Sequence, residues 1–432
     1  MGKLAITGGE PVRKAPFPSW PTSTKEEAVA LQDVLESTKW GGQPFPGKHA
    51  VAFAKKFAQA HTAKYAQCVN TGTVAIQAAL KAIGIRPGDE VIVPAYTWEG
   101  TVGPVLLVNA VPIFVDIDPE TYCLDAKLIE KAITPKTKAI LPVHLGMRFA
   151  DIDEILKIAA KHKLKVVEDC AHAHGGMWNG KGAGSMGDLG AFSFQSSKLI
   201  TCGEGGLVIT NNLEYFELVQ SYINAGRASV TDKYKHRIIG FNYRLGEFQA
   251  AILGPQLDRL PAQSAIRDKN MKQLESRLQN TPAIGLLKPD PRITRLAPYG
   301  YVIKYFSSKA KETPRASFVA ALQLEGIPCD GLFYEPVYKS SLFPVDSADF
   351  PALSWGREKP LDLRSMFSCP ESEKAAYQEA VWFPHQNFLG SAEDTDAIAN
   401  AIHKVLENLE ELRGLDHKAI RNQKLGRADR ES

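Results

Sequence analysis

Between residues 52 and 168, short apolar runs rich in Val and Ile alternate with longer segments whose apolar positions recur every three to four residues. The pattern predicts helices over 52–61, 73–84, 100–109, 126–133 and 151–163, and strands over 65–69, 90–93, 112–116, 138–143 and 164–168. Strand and helix taking turns in this way specify an α/β fold with a mostly parallel sheet covered on both faces, and such sheets bind ligands at the carboxyl ends of their strands. Upstream, Thr24-x-x-Glu27 has the form of a capping box and opens a helix to about Ser37. Downstream come short strands at 192–194 and 207–210 and helices over 213–224 and 244–260. A second, smaller domain is expected from residue 262, with helices over 264–279, 314–325 and 392–412 and a strand over 300–305. The expected division is an N-terminal arm (1–22), a large domain (23–261), a small domain (262–412) and a charged, disordered tail (413–432).

A chain of 432 residues with 44% apolar content suits two such cores of unequal size. Its formal net charge of +3 is spread without the basic stripe that a phosphate backbone requires, which argues against a nucleic-acid partner. No apolar run has the length of a membrane span, and Met1–Gly9 lacks the apolar stretch of a signal peptide, so the expected location is cytoplasmic. Six cysteines, at 68, 123, 170, 202, 329 and 369, form no C-x-x-C pair and point to reduced, mostly buried thiols with no metal.

Chemistry concentrates in Phe192-Ser-Phe-Gln-Ser-Ser-Lys198, which runs through Leu-Ile-Thr-Cys-Gly-Glu-Gly-Gly206. An amine among Phe192, Phe194, Leu199 and Ile200 is expected to lose hydration and become nucleophilic toward a carbonyl, which makes Lys198 a candidate Schiff-base lysine; a surface lysine is the plain alternative. Three strand ends supply companions. Asn70-Thr-Gly-Thr73 sets backbone N–H groups and a hydroxyl at a helix start, a phosphate-binding geometry as well as an ordinary cap. Pro94-Ala-Tyr-Thr-Trp98 offers an aromatic face for a planar ring, or for the core. Glu168-Asp-Cys-Ala-His172 brings Asp169, able to keep a pyridinium nitrogen protonated or simply to cap the turn.

Two patterns are set aside. Gly182-Ala-Gly-Ser-Met-Gly187 matches a dinucleotide fingerprint by letter, but it follows the turn Trp178–Lys181 and leads into a strand, so it reads as a connection and not as a nicotinamide site. His172-x-His174 has no third or fourth metal ligand near it.

Phosphate cradle, stacking aromatic, carboxylate and lysine together are the parts that hold pyridoxal phosphate. With Val115-Asp-Ile-Asp-Pro119, Glu168–Gly175, Thr201–Gly206 and Gly240-Phe-Asn-Tyr-Arg-Leu-Gly-Glu-Phe-Gln-Ala250, the chain resembles the DegT (StrS) family of pyridoxal-phosphate sugar aminotransferases over about residues 15–412. The resemblance implies fold type I, aspartate aminotransferase-like, with a mostly parallel seven-stranded sheet and a smaller α+β domain. It places Lys198 at the Schiff-base lysine, Asp169 at the pyridinium partner, Trp98 at the stacking aromatic, and Gly72, Thr73 and Ser193 at the phosphate. His172 takes the position that contacts the cofactor's 3′-oxygen, and Asn242 matches an asparagine that reaches the neighbouring subunit's cofactor, which implies a homodimer with shared sites. Gln195 stands where His is more usual and is similar to the branch of 3-amino-5-hydroxybenzoate synthases and scyllo-inosose aminotransferases.

The implied reaction moves an amino group from glutamate or glutamine, through pyridoxamine phosphate, to a ketone on a nucleotide-linked sugar or a free cyclitol. Lys198 argues against a dehydratase of the same fold, which carries His there, and Lys198, Asp169 and Thr73 together argue against a non-catalytic cofactor-binding relative. Arg227 and Arg244 are both candidates for the donor's carboxylate, and Tyr334 and His385 lie in segments that either approach the site or pack beneath it.

Overall fold

The computed structural model describes residues 2–41, 45–228 and 234–416; the expected tail beyond 416 lies outside them. Seven strands, β1 (Tyr65–Val69), β2 (Glu90–Pro94), β3 (Val111–Val115), β4 (Thr137–Ile140), β5 (Lys165–Asp169), β6 (Leu189–Ser193) and β7 (Gly206–Thr210), form one sheet in the order β1-β7-β6-β5-β4-β2-β3. Only β7 runs against its neighbours, and the other pairs are parallel. Parallel strands carry helices on both faces, so their apolar residues form runs and their alternation separates two cores. Val91, Val93, Val167 and Ala191 enter one core, and Ile92, Val166 and Phe192 enter the other.

A three-stranded antiparallel sheet, Ile284–Leu286, Gly300–Tyr305 and Ala380–Pro384, builds the smaller layer with the helices Arg315–Leu324 and Ala392–Glu407. Leu4 and Ile6 of the arm are buried in its core. The arm is pinned there by Glu325, whose buried carboxylate accepts from the Ala5 and Val12 N–H groups and pairs with Lys404 at 2.8 Å.

The two helices expected on either side of residue 262 are one helix, Glu247–Leu278, of 32 residues, with Pro255 and Pro261 inside it. A proline removes one helical hydrogen bond and favours a break. Here buried positions lie on both sides of the prolines, at Leu253, Leu257 and Leu260 and again at Arg267, Met271, Leu274 and Leu278, and that packing holds the helix through both. The last expected helix stops earlier, at Glu407, and continues as a short 3-10 turn over Leu409–Leu412. No helix among the described residues is long and apolar enough to cross a membrane.

The glycine-rich connection 182–187 has a structural task. Gly184, Met186 and Gly187 donate their N–H groups to the fully buried carboxylate of Glu168. His144 completes the set: its Nδ1 accepts from the Ala150 N–H, so Nε2 carries the proton and donates to Glu168 at 2.9 Å. Cys170 lies close to His144 and Glu168, but their lone pairs and protons are already committed to these bonds. Truncating Glu168 leaves four buried donors unpaired. Glu168→Ala is therefore expected to lower unfolding stability by about 3 kcal/mol or more, read from the urea midpoint. A loss under about 1 kcal/mol would show that the cluster does not anchor the connection.

Candidate active site

Four chain segments reach the carboxyl edge of the sheet and close around a cavity of about 560 Å³. After β1, the helix Gly72–Ala82 begins with Thr71 as its cap, the hydroxyl accepting from the Val74 N–H at 3.1 Å. The N–H groups of Gly72 and Thr73 are the first in that helix and have no acceptor within it. A β-carbon at Gly72 would lie 2.5 Å from the Ser193 Cβ, so glycine lets the helix start abut the end of β6. The result is a concave patch of N–H and hydroxyl donors.

After β2, Trp98 stands at the N-cap of the helix Glu99–Leu107, with 59% of its surface exposed. Gly100 makes room for it, because a β-carbon there would meet the indole at 2.7 Å. The indole lines the cavity.

β5 ends in Asp169. Its carboxylate is buried and accepts from the Ala171 N–H at 3.0 Å and the Thr101 hydroxyl at 2.7 Å. Burial raises its pKa above the usual carboxylate value, opposed by those two bonds and by the charge of Lys198. It forms no ion pair among the described residues.

Beyond β6, Lys198 is half-buried with Nζ 4.6 Å from the centre of the Tyr299 ring. The apolar neighbours Phe194, Leu199 and Ile200 are fully buried in the core beneath it, so the surface that the amine meets is Tyr299. Tyr299 also stacks on His172, with centroids 3.7 Å apart and planes at 17°. His172 Nδ1 accepts from the Gly146 N–H, which leaves the proton on Nε2 to be donated to the Tyr334 hydroxyl at 3.2 Å. Burial holds His172 well below its ordinary value and the Tyr334 phenol well above its own, so both are neutral.

The cavity thus gathers Gly72, Thr73, Trp98, Asp169, His172, Ser193 and Lys198. Asn242 is not among them: it is exposed and bridged to Asn224, apart from the cavity of its own chain. Arg227 and Arg244 also lie outside; both donate to the Asn224 side chain, at 3.0 and 2.8 Å. Tyr334 lines the cavity, while His385 lies next to it and donates from Nε2 to the Ser197 carbonyl. His172 and His174 face different partners, the latter donating to the Ser193 carbonyl, so they do not form a ligand pair.

Sequence reasoning missed Thr101, Tyr299 and Phe333. Thr101 had a local signal, four residues after Thr97 and in hydrogen-bond contact with it. Tyr299 and Phe333 had none, since they come from loops around the smaller sheet. Gln195 accepts from both the N–H and the hydroxyl of Ser197 through Oε1, leaving its amide nitrogen to the cavity.

Residues 21–357 match the model of the DegT/DnrJ/EryC1/StrS aminotransferase family. A protein of Streptoalloteichus tenebrarius named, provisionally, an L-glutamine:3-amino-2,3-dideoxy-scyllo-inosose aminotransferase is 41% identical over 420 residues, covering 95% of this chain and 99% of that one. The L-glutamine:2-deoxy-scyllo-inosose aminotransferase of the same organism is 36% identical over 426 residues, with the same two coverages. The crystal structure of 3-amino-5-hydroxybenzoic acid synthase superposes with a TM-score of 0.80 at 32% identity, over 91% of this chain and 100% of that one. The fold is type I of the pyridoxal-phosphate enzymes.

The raised pKa of Asp169 has a thermodynamic sign. Where folding raises a carboxyl's pKa, its contribution is fully present below the unfolded-state value and is lost as pH rises through the folded-state value. At neutral pH the ionised group therefore costs stability in the cofactor-free protein. Asp169→Asn apoprotein is expected to melt at or above the wild-type temperature at pH 7, with the gap closing toward pH 4, in thermal scans at both pH values. A clear fall in melting temperature at pH 7 would overturn this reading.

Proposed function

The chain belongs to the DegT/DnrJ/EryC1/StrS aminotransferase family, and from that premise we propose that it binds pyridoxal phosphate and transfers an amino group from L-glutamine to a ketone on a cyclitol ring. The observation that carries the reading is the convergence of Lys198 and Asp169 in one cavity, a lysine and a buried carboxylate that form no ion pair among the described residues. Glutamine and the inosose ring come from the names of the relatives; glutamate and a nucleotide-linked keto-sugar are the alternatives.

The residues present suit the cofactor. The close contact of Gly72 with Ser193 and the free N–H groups of Gly72 and Thr73 suit its phosphate, and Trp98 suits the face of its ring. The acidic site at Asp169 suits a protonated ring nitrogen, whose charge would repay the burial that now raises the carboxyl. When bound, the cofactor supplies an aldehyde for the donor's amine and a ring that takes up the electrons released when a Cα–H bond breaks.

The chain's own residues do the rest. Asp169 would keep a proton on the cofactor's ring nitrogen, and the Trp98 indole would orient its ring. Lys198 would hold the cofactor between turnovers, and its free Nζ would serve the proton transfers, first as base and then as acid. The same residues, in reverse, aminate the ketone. His172 presents its Nε2 proton, shared with Tyr334, as a neutral donor beside the ring. In this proposal the working unit is a homodimer located in the cytoplasm, with Asn242 completing the phosphate site of the neighbouring subunit.

With pyridoxal phosphate loaded, L-glutamine should convert the aldehyde absorbance of the wild-type protein to that of the aminated cofactor. Lys198→Ala should lower steady-state turnover by at least about 10³-fold while the fold, followed by circular dichroism, is unchanged. Near-normal turnover in that variant would refute the assignment.

A further inference from the structure

A second cavity, of about 670 Å³, adjoins the one that holds Lys198, and the two share Gln195, Ser197, Tyr299 and Phe333. The two spaces are neighbours, so part of an acceptor whose ketone reaches Lys198 has room in the second. Its lining includes the hydrogen-bonding side chains of Gln195, Ser196 and Gln386 and the aromatic rings of Trp20 and Phe333. That combination suits a hydroxylated ring with two less polar faces. Among the described residues the wall contains no lysine or arginine, and its only carboxylate is Asp330.

Asp330 is held firmly in place. Its backbone N–H and carbonyl both pair with Trp382 at the edge of the smaller sheet, at 2.9 and 2.8 Å. Its Oδ1 accepts from the Leu332 N–H at 2.9 Å, and no ion pair engages the group among the described residues. Asp330 is exposed, and Arg315, packed beneath the adjacent Gly331, is near enough to interact with its charge, but the guanidinium donates its hydrogen bonds to the carbonyls of Ala375, Ala376 and Ala380. A carboxylate in no ion pair and facing a cavity attracts an ammonium group and repels a phosphate. A nucleotide diphosphate would bring further negative charge to a wall with nothing to pair with it.

We infer that Asp330 is the residue that selects the acceptor by charge: it pairs with the ammonium group of an amino-bearing cyclitol ketone, the kind of acceptor that the relatives' names print. This inference rests on the aminotransferase reading and adds to it the residue that selects the acceptor. Glu204 is the nearest rival, a carboxylate that lines the first cavity on the turn after Lys198.

The test uses the holoenzyme after amination by L-glutamine, mixed with three ketones: an inosose, the same inosose with an amino group replacing a ring hydroxyl at each position in turn, and a nucleotide-linked ketohexose. The readout is the return of the cofactor's aldehyde absorbance, taken as the ratio of kcat/KM for amino-inosose over inosose, so that general damage to a variant cancels. The wild type should favour one amino-inosose by about tenfold or more and leave the nucleotide-linked ketone unreacted. Asp330→Asn, which keeps the acceptor for Leu332, should bring the ratio to about one, and Glu204→Gln should preserve it. An unchanged ratio in Asp330→Asn, loss of the ratio in Glu204→Gln instead, no preference in the wild type, or efficient use of the nucleotide-linked ketone would each overturn the inference alone. Failure of L-glutamine to aminate the holoenzyme would overturn the aminotransferase reading, and the inference with it.

Discussion

Asp169 ends the central strand of the large sheet with its carboxylate buried, bonded by one N–H and one hydroxyl, and in no ion pair among the described residues. The residue before it shows how differently the same strand treats a carboxylate that serves only the fold. Glu168 points to the opposite side and is saturated by three backbone N–H groups and His144. The two acids are adjacent in sequence and equally hidden from water, yet one is satisfied and the other is under-satisfied. Leaving a buried charge in that condition is unfavourable unless something else brings a positive group to it. Trp98, Thr73, Ser193 and Lys198 are gathered around the place where such a group would sit.

Neutral groups complete the surroundings. His172 has its proton position fixed by the Gly146 N–H, is covered on one face by Tyr299, and gives its remaining hydrogen bond to Tyr334. The Tyr299 hydroxyl in turn meets Ser197, whose own proton goes to Gln195. These contacts order the side chains of three distant segments without adding charge. The electrostatics of the cavity are consequently left to Lys198, Asp169 and Glu204.

The large sheet was legible because its strands are buried on both faces and separated by helices, so each strand reads as an apolar run ended by turn residues. That the cavity gathers these candidates was legible for a related reason: Asp169 and Ser193 end strands, and Gly72 and Trp98 lie in the turns just beyond strand ends on the same edge. What could not be read depends on tertiary packing. Pro255 and Pro261 each argue locally for a break, and the packing of buried residues before and after them keeps the helix whole. Tyr299 and Phe333 reach the cavity from the smaller layer, and no periodicity marks a loop residue that is brought in by the packing of another sheet. The purpose of the glycines at 184 and 187 was equally invisible, since a turn that cradles a side-chain carboxylate and one that cradles a phosphate use the same N–H geometry.

The backbone at Lys198, the lysine proposed to react, is tied down from three sides. The Trp20 indole of the N-terminal arm donates to the Lys198 carbonyl at 3.1 Å, His385 donates to the Ser197 carbonyl at 3.0 Å, and the Lys198 N–H is tied to the Gln195 carbonyl at 2.9 Å. Anchored from three parts of the chain, the main chain at this residue is a fixed pivot, and the excursions of the amine are confined to rotations of its four methylenes. For the proton-moving role proposed for Lys198, this gives Nζ a short leash and a reproducible arc.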